Sequence, residues 1–177
     1  MAGTDPDLKH VTIYTSGGCE PNPGRGGWAA VLLFGKARKE ISGGCRLTIS
    51  ARMEITAAIT ALRSLKEPCR VTLFTDSQAL VQAMQQGQAL AWQHKNWMRT
   101  KAEKVRNTDL WEHLLALYDR HAVTFVWTQA HAGRPHHERC NQLAAEARQR
   151  GDLPVDGVYE NETTNATSGS IPLPLSG

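Results

Sequence analysis

Two carboxylates raise the question of chemistry. Glu54 lies in RMEITAAITALRSL and shares a helical face with Ala58, Ala61 and Leu65. Asp76 closes the apolar run VTLFT and precedes SQALVQAM. Alone, each has an ordinary explanation, since the macrodipole favours an acid near a helix start and an aspartate commonly caps a strand end. Brought together over one edge of a sheet, paired carboxylates bind hard divalent cations such as Mg²⁺. A third position is notable for what it lacks. In IYTSGGCEPNPGRGG, residues 13–27, an apolar alternation runs into a loop dense in glycine and proline. Ser16 stands where that strand should end, offering a hydroxyl where a carboxylate would extend the set.

The elements that must position these residues follow from periodicity. VTIYT (11–15) alternates and predicts a strand; WAAVLLF (28–34) and the following 36–47 stretch predict a second and third strand joined by a hairpin. Residues 52–65 repeat apolar side chains at helical spacing, VTLFT (71–75) returns to strand, and 78–86, 92–104 and 109–120 read as helical. VTFVW (123–127) is a last strand, and 136–150 a last helix with Pro135 near its first turn. This order predicts an α/β fold with a mixed sheet, an antiparallel meander first and later strands joined through helices. Ligands of such sheets gather beyond the carboxyl ends of strands near a topological switch, where Ser16 and Asp76 both fall.

The chain has 177 residues, 21% of them charged, with a formal net charge of +3. That length predicts one domain, read as residues 11–150 between a short N-terminal extension, 1–10, and a flexible tail, 151–177, rich in Pro, Gly, Ser, Thr and Asn. Cys19, Cys45, Cys69 and Cys140 are scattered without metal-site spacing, which speaks for free thiols in a reducing compartment. No apolar run approaches membrane-spanning length, and residues 1–10 lack a signal peptide's apolar centre. A soluble, cytoplasmic chain is expected, and nothing in the sequence asks for more than a monomer. The N-x-T triplets at Asn161 and Asn165 carry no meaning without a secretion signal.

Five blocks, TSGGCEPNPGRGGWAAVL, ARMEITAAITAL, FTDSQ, NTDLW and HAGRPHHERCNQLA, stand in the order and near the spacing of type 1 ribonuclease H. The resemblance spans roughly residues 11–150. It implies the ribonuclease H-like fold, a five-stranded mixed sheet with strands 1–3 antiparallel and strands 4 and 5 parallel, flanked by helices. It also implies cleavage of the RNA strand of RNA–DNA hybrids by two divalent ions, Mg²⁺ or Mn²⁺, held by four acidic side chains. Carried onto this sequence, the four positions are Ser16, Glu54, Asp76 and Asn141. Two acids remain. Only two formal negative charges face the two cations, Ser16 has one neutral hydroxyl, and Asn141 could ligate only through a neutral amide oxygen. Weakened metal binding, and cleavage that is severely impaired or absent, are the expectations.

Other positions match the pattern. Asn22 and Gln78 correspond to residues that contact the hybrid's minor groove, and His131 to a loop histidine associated with proton transfer and product release. Asn22 is also a turn former in its own right. His136 and His137 evoke a zinc site but read more simply as polar loop residues, and Arg52 and Arg139 as solvated charges or ion pairs. Departures accompany the matches: Ser16-Gly17-Gly18 stands for the family's usual DGS, and Ile49-Ser50-Ala51 for TNN. In WQHKNWMRTKAEKVR (92–106), Lys95, Arg99, Lys101, Lys104 and Arg106 oppose Glu103 alone, interleaved with Trp92 and Trp97. The family's basic protrusion, which grips the DNA strand, lies at this place, so these residues are expected at the nucleic-acid interface. Three readings stay open: an impaired nuclease retaining Glu54 and Asp76, a non-catalytic hybrid-binding module, and a protein-binding scaffold.

Overall fold

The structure is a computed structural model that describes residues 5–130 and 133–168. Five strands form one sheet in the order β3-β2-β1-β4-β5. β1 (His10–Cys19), β2 (Gly24–Phe34) and β3 (Ala37–Thr48) make the antiparallel meander, and β4 (Arg70–Thr75) and β5 (Ala122–Trp127) add in parallel. α1 (Ser50–Arg63) leads into β4; α2 (Gln78–Gln85), α3 (Gln88–His94) and α4 (Thr108–Arg120) join β4 to β5; α5 (Pro135–Arg148) and α6 (Gly157–Ser168) follow.

Neighbouring glycines of β2 show how the sheet is sandwiched. A Cβ on Gly26 would fall 2.7 Å from Met53 of α1, whereas one on Gly27 would collide with the carbonyl of Ala144 in α5. Successive strand residues face opposite sides, so α1 and α5 press on opposite faces at van der Waals contact. The core lies beneath α1, where Ile13, Val71 and Leu73 of the sheet meet Ala58, Ala61 and Leu62.

Three expectations fail. β1 does not end at residue 15: Ser16–Cys19 stay paired with Ala29–Gly26. The Gly-Gly that resembled a turn serves close packing instead, since a Cβ on Gly17 would sit 2.5 Å from the backbone N of Glu54. Residues 92–104 are not one helix. α3 stops after His94, Asn96 and Trp97 take positive φ (54° and 60°), and the Trp97 N–H closes on the Trp92 carbonyl at 2.8 Å, which terminates the helix. The chain then folds back on itself with a bridge between Met98 and Lys104.

The third failure concerns the tail. Asp156 is buried and its carboxylate grips Arg52, accepting from Nε at 2.7 Å and Nη2 at 3.0 Å. Asp156 also accepts from the Thr48 hydroxyl at 2.6 Å and from Tyr159 N–H at 3.3 Å, which starts α6. Arg46 then pairs with Glu160 one turn on. Composition hid this because the segment is held by ion pairs, not by an apolar stripe.

Arg52 is 4% exposed and makes a second bidentate pair with Asp109, at 2.9 and 2.8 Å. Removing it strands Asp156 in the interior without a counter-charge. Arg52→Ala should therefore destabilise the fold by about 3–5 kcal/mol, read as a lower midpoint in urea denaturation at unchanged slope.

Candidate active site

Three elements converge beside Ser16. The close approach permitted by Gly17 lays the second turn of α1 against β1, which brings Glu54 to the site. α1 begins at Ser50, so Glu54 lies beyond the first turn and the macrodipole does not account for it. Asp76 follows β4, in a turn that buried groups hold rigid. The Ser77 N–H donates to Thr75 Oγ1 at 3.1 Å, and Ser77 Oγ caps α2 by accepting the Leu80 N–H at 3.2 Å. The same Ser77 side chain hydrogen-bonds Glu54. α5 delivers Asn141 from the other face, and Ser16 Oγ donates to Asn141 Oδ1 at 2.6 Å. Ser16 is only 9% exposed.

Burial raises the Glu54 pKa to about 7; the charge of Asp76 pushes the same way, and the Ser77 hydrogen bond opposes both. Its proximity to Asp76 is thus recorded in its ionisation. His137 is the residue that sequence reasoning undervalued. It sits on α5 rather than in an exposed loop, is 2% exposed, and places Nε2 4.0 Å from Asp76 Oδ2. Its sequence signal was position alone, near the start of the helix that carries Asn141. The head of α5 is fastened over the sheet by rings: Tyr14 stacks on Phe74 at 4.9 Å, His136 lies 5.3 Å from Tyr14, and the Arg134 guanidinium 5.5 Å from Phe74. His131 lies outside the described residues.

The donor set does not fit a pair of divalent ions. Asn141 could ligate only through Oδ1, a neutral oxygen that already shares one of its two lone pairs with the Ser16 hydroxyl. Burial also disfavours the charged form that Glu54 would have to offer a cation. Among the described residues no group of three His, Cys, Asp or Glu side chains is arranged to hold a metal ion. Ser16 and Asn141 hydrogen-bond each other at the two positions expected to offer only neutral oxygens to a cation.

Around this centre, Asn22 is exposed at the β1–β2 loop, and its Oδ1 accepts the Ser50 N–H at 3.1 Å. Gln78 is exposed at the start of α2. Arg139 pairs with Glu40 at 2.9 and 3.1 Å, and Arg52 with its two aspartates, so both arginines are ion-paired. Lys95, Arg99, Lys101, Lys104 and Arg106 are all exposed along the excursion after α3. Trp92 and Trp97 are half-buried against the core, Trp92 tilted against Trp111 at 6.1 Å, and both Trp92 and Trp111 also line the cavity beside the basic excursion. A cavity of about 650 Å³ joins Ala51 and Ala79, beside the centre, to Arg99, Lys104 and Arg106. No helix among the described residues is long and apolar enough to cross a membrane.

Comparison with known proteins agrees with this geometry. The RNase H family model matches residues 8–149. A ribonuclease H of Syntrophus aciditrophicus is 52% identical over 158 residues, covering 89% of this chain and 91% of that protein. Among solved structures, LC9-RNase H1, a type 1 RNase H with the type 2 active-site motif, superposes with a TM-score of 0.72 at 23% identity, covering 94% of this chain and 86% of that one. LC11-RNase H1, solved in complex with RNA/DNA hybrid, superposes with a TM-score of 0.60 at 22% identity, covering 77% and 95%.

The raised Glu54 pKa has a consequence for stability. The unfolded chain releases this proton near 4.5 while the native state keeps it to about 7, so folding binds a proton between those values and stability falls as pH rises through them. Glu54→Gln should leave stability unchanged below pH 4.5 and raise it progressively above that value, levelling off at about 1–3 kcal/mol beyond pH 7, seen as a melting temperature that diverges from the parent from pH 4.5 upward.

Proposed function

The chain belongs to the ribonuclease H family, and on that premise we propose that it binds RNA–DNA hybrid duplexes while cleaving their RNA strand poorly or not at all. The observation that carries this reading is the Ser16–Asn141 hydrogen bond. Two of the four positions where the family resemblance expects acids hold neutral groups satisfied by each other, leaving Glu54 and Asp76 as the carboxylates of the centre. A two-metal mechanism needs charge and bridging oxygens to seat ions about 3.5–4 Å apart. Mg²⁺ sheds its water reluctantly and would gain too little in return here. Weakened divalent-ion binding belongs to the same proposal.

Binding is supported by what persists. The exposed cations of the 95–106 excursion stand across a cavity from the centre, and Asn22 and Gln78 present side-chain amides beside it. Phosphate contacts of this kind supply affinity without sequence preference, which suits a hybrid of any sequence. A second reading, a weak nuclease working through Glu54 and Asp76 alone, draws on the juxtaposition of those two acids.

Release of labelled RNA fragments from a hybrid in Mg²⁺ or Mn²⁺ separates these readings. Little or no cleavage is expected from the parent, whereas the double variant S16D/N141D should gain roughly a hundredfold or more. Robust cleavage by the parent would refute the proposal, and slow metal-dependent cleavage abolished by Glu54→Gln would favour the second reading. Charge reversal at Lys101 and Lys104 should weaken hybrid binding and lower the slope of log K against log salt by about 2. Unchanged affinity and slope would remove the excursion from the interface.

A further inference from the structure

Two side-chain amides near the centre are oriented by the same device. Asn22 Oδ1 accepts the Ser50 backbone N–H at 3.1 Å, and Asn141 Oδ1 accepts the Ser16 hydroxyl at 2.6 Å. A protein donor on the oxygen fixes which way an amide is turned, and in both cases the NH₂ group is the end on which the structure records no protein partner. That group donates two hydrogen bonds and accepts none. It cannot ligate a cation, and it matches the non-bridging oxygens of a phosphate.

The electrostatics agree. A centre of four carboxylates repels a phosphate through four like-charge terms unless cations stand between them. Two such terms are absent here, at Ser16 and Asn141. At Asn141 a repulsive oxygen is replaced by a donor, which reverses the sign of that contact. Ser16 supports the change rather than making it: its hydroxyl proton is spent on Oδ1, and its low exposure keeps the bond out of competition with water.

Resting on the hybrid-binding reading above, we infer that this centre is a phosphate seat instead of a cation seat: the Asn141 NH₂ group donates to a non-bridging oxygen of a nucleic-acid backbone phosphate, and the hybrid is held without a divalent ion. Asn141 is then a binding residue, and Ser16 a positioning residue that keeps the amide from turning over.

The test is titration of the full chain with a labelled RNA–DNA hybrid, in excess Mg²⁺ and in excess EDTA at matched ionic strength. The parent should bind with the same Kd in both, within about twofold. Asn141→Asp, which exchanges a donor for a like charge, should bind about tenfold or more weakly in EDTA and recover when Mg²⁺ is added. Ser16→Ala, which adds no charge but frees the amide, should lose about threefold in EDTA, a loss a merely structural role would not confine to hybrid affinity. Thermal melts establish that both variants are folded, and the comparison of EDTA with Mg²⁺ on the parent does not depend on either. A parent that loses tenfold or more in EDTA overturns the inference and leaves hybrid binding standing, as does an Asn141→Asp variant that matches the parent in EDTA. Absence of hybrid binding in both buffers sinks the reading on which the inference rests.

Discussion

A guanidinium buried at the head of α1 has to be neutralised, and Arg52 is neutralised twice. Burial opposes its charge, but the hydrogen bonds and charges of Asp109 and Asp156 outweigh that opposition and hold it protonated. Asp109 opens α4 and closes the basic excursion, Asp156 stands before α6, and Arg52 lies two residues before Glu54. One cation therefore fixes the helix that carries a site acid, the base of the cationic surface and the segment after α5. Such a network is a costly way to gain stability, because an apolar cluster of equal volume would serve as well. Its use here is geometric: two planar bidentate pairs set the angle between three segments that share no strand pairing.

Within that frame the scaffold of the centre rests on contacts that do not depend on the charges it carries. Gly17 admits α1 to within contact of β1, the Thr75–Ser77 turn holds Asp76, and the aromatic clasp seats the head of α5. The charge delivered to the point where these elements meet is set separately. Ser16 and Asn141 satisfy each other, and Glu54 relieves its burial by holding its proton. Both outcomes lower the negative potential at the sheet edge. The Ser16–Asn141 contact sets a serine donor on an amide oxygen, a polar pairing that needs no cation between the two side chains.

The cationic excursion shows the same separation between support and surface. Its indoles pack partly against the core, Trp92 also lining the cavity, and its lysines and arginines are exposed to solvent. The positive-φ break at Asn96 and Trp97 converts what would have been a continuing helix into a loop that projects charge away from the sheet. A straight helix through residues 92–104 would have rotated those cations around its axis instead of gathering them along one projecting segment.

Period-2 and period-3.6 patterns are local properties of the backbone, and the sequence by itself determined the strands, α1, α4, α5 and the α/β order through them. It also showed Glu54 and Asp76 as acids and Ser16 and Asn141 as neutral, because residue identity needs no geometry. Only three-dimensional packing decided that Gly17 is a packing contact and not a turn, that His137 is buried beside Asp76, and that Asp156 reaches back to Arg52. Above all, it decided that Ser16 meets Asn141 across 125 residues of chain. Such polar pairs leave no periodic trace: they depend on strand register, on helices meeting opposite faces of one sheet, and on approach distances that a single absent Cβ permits.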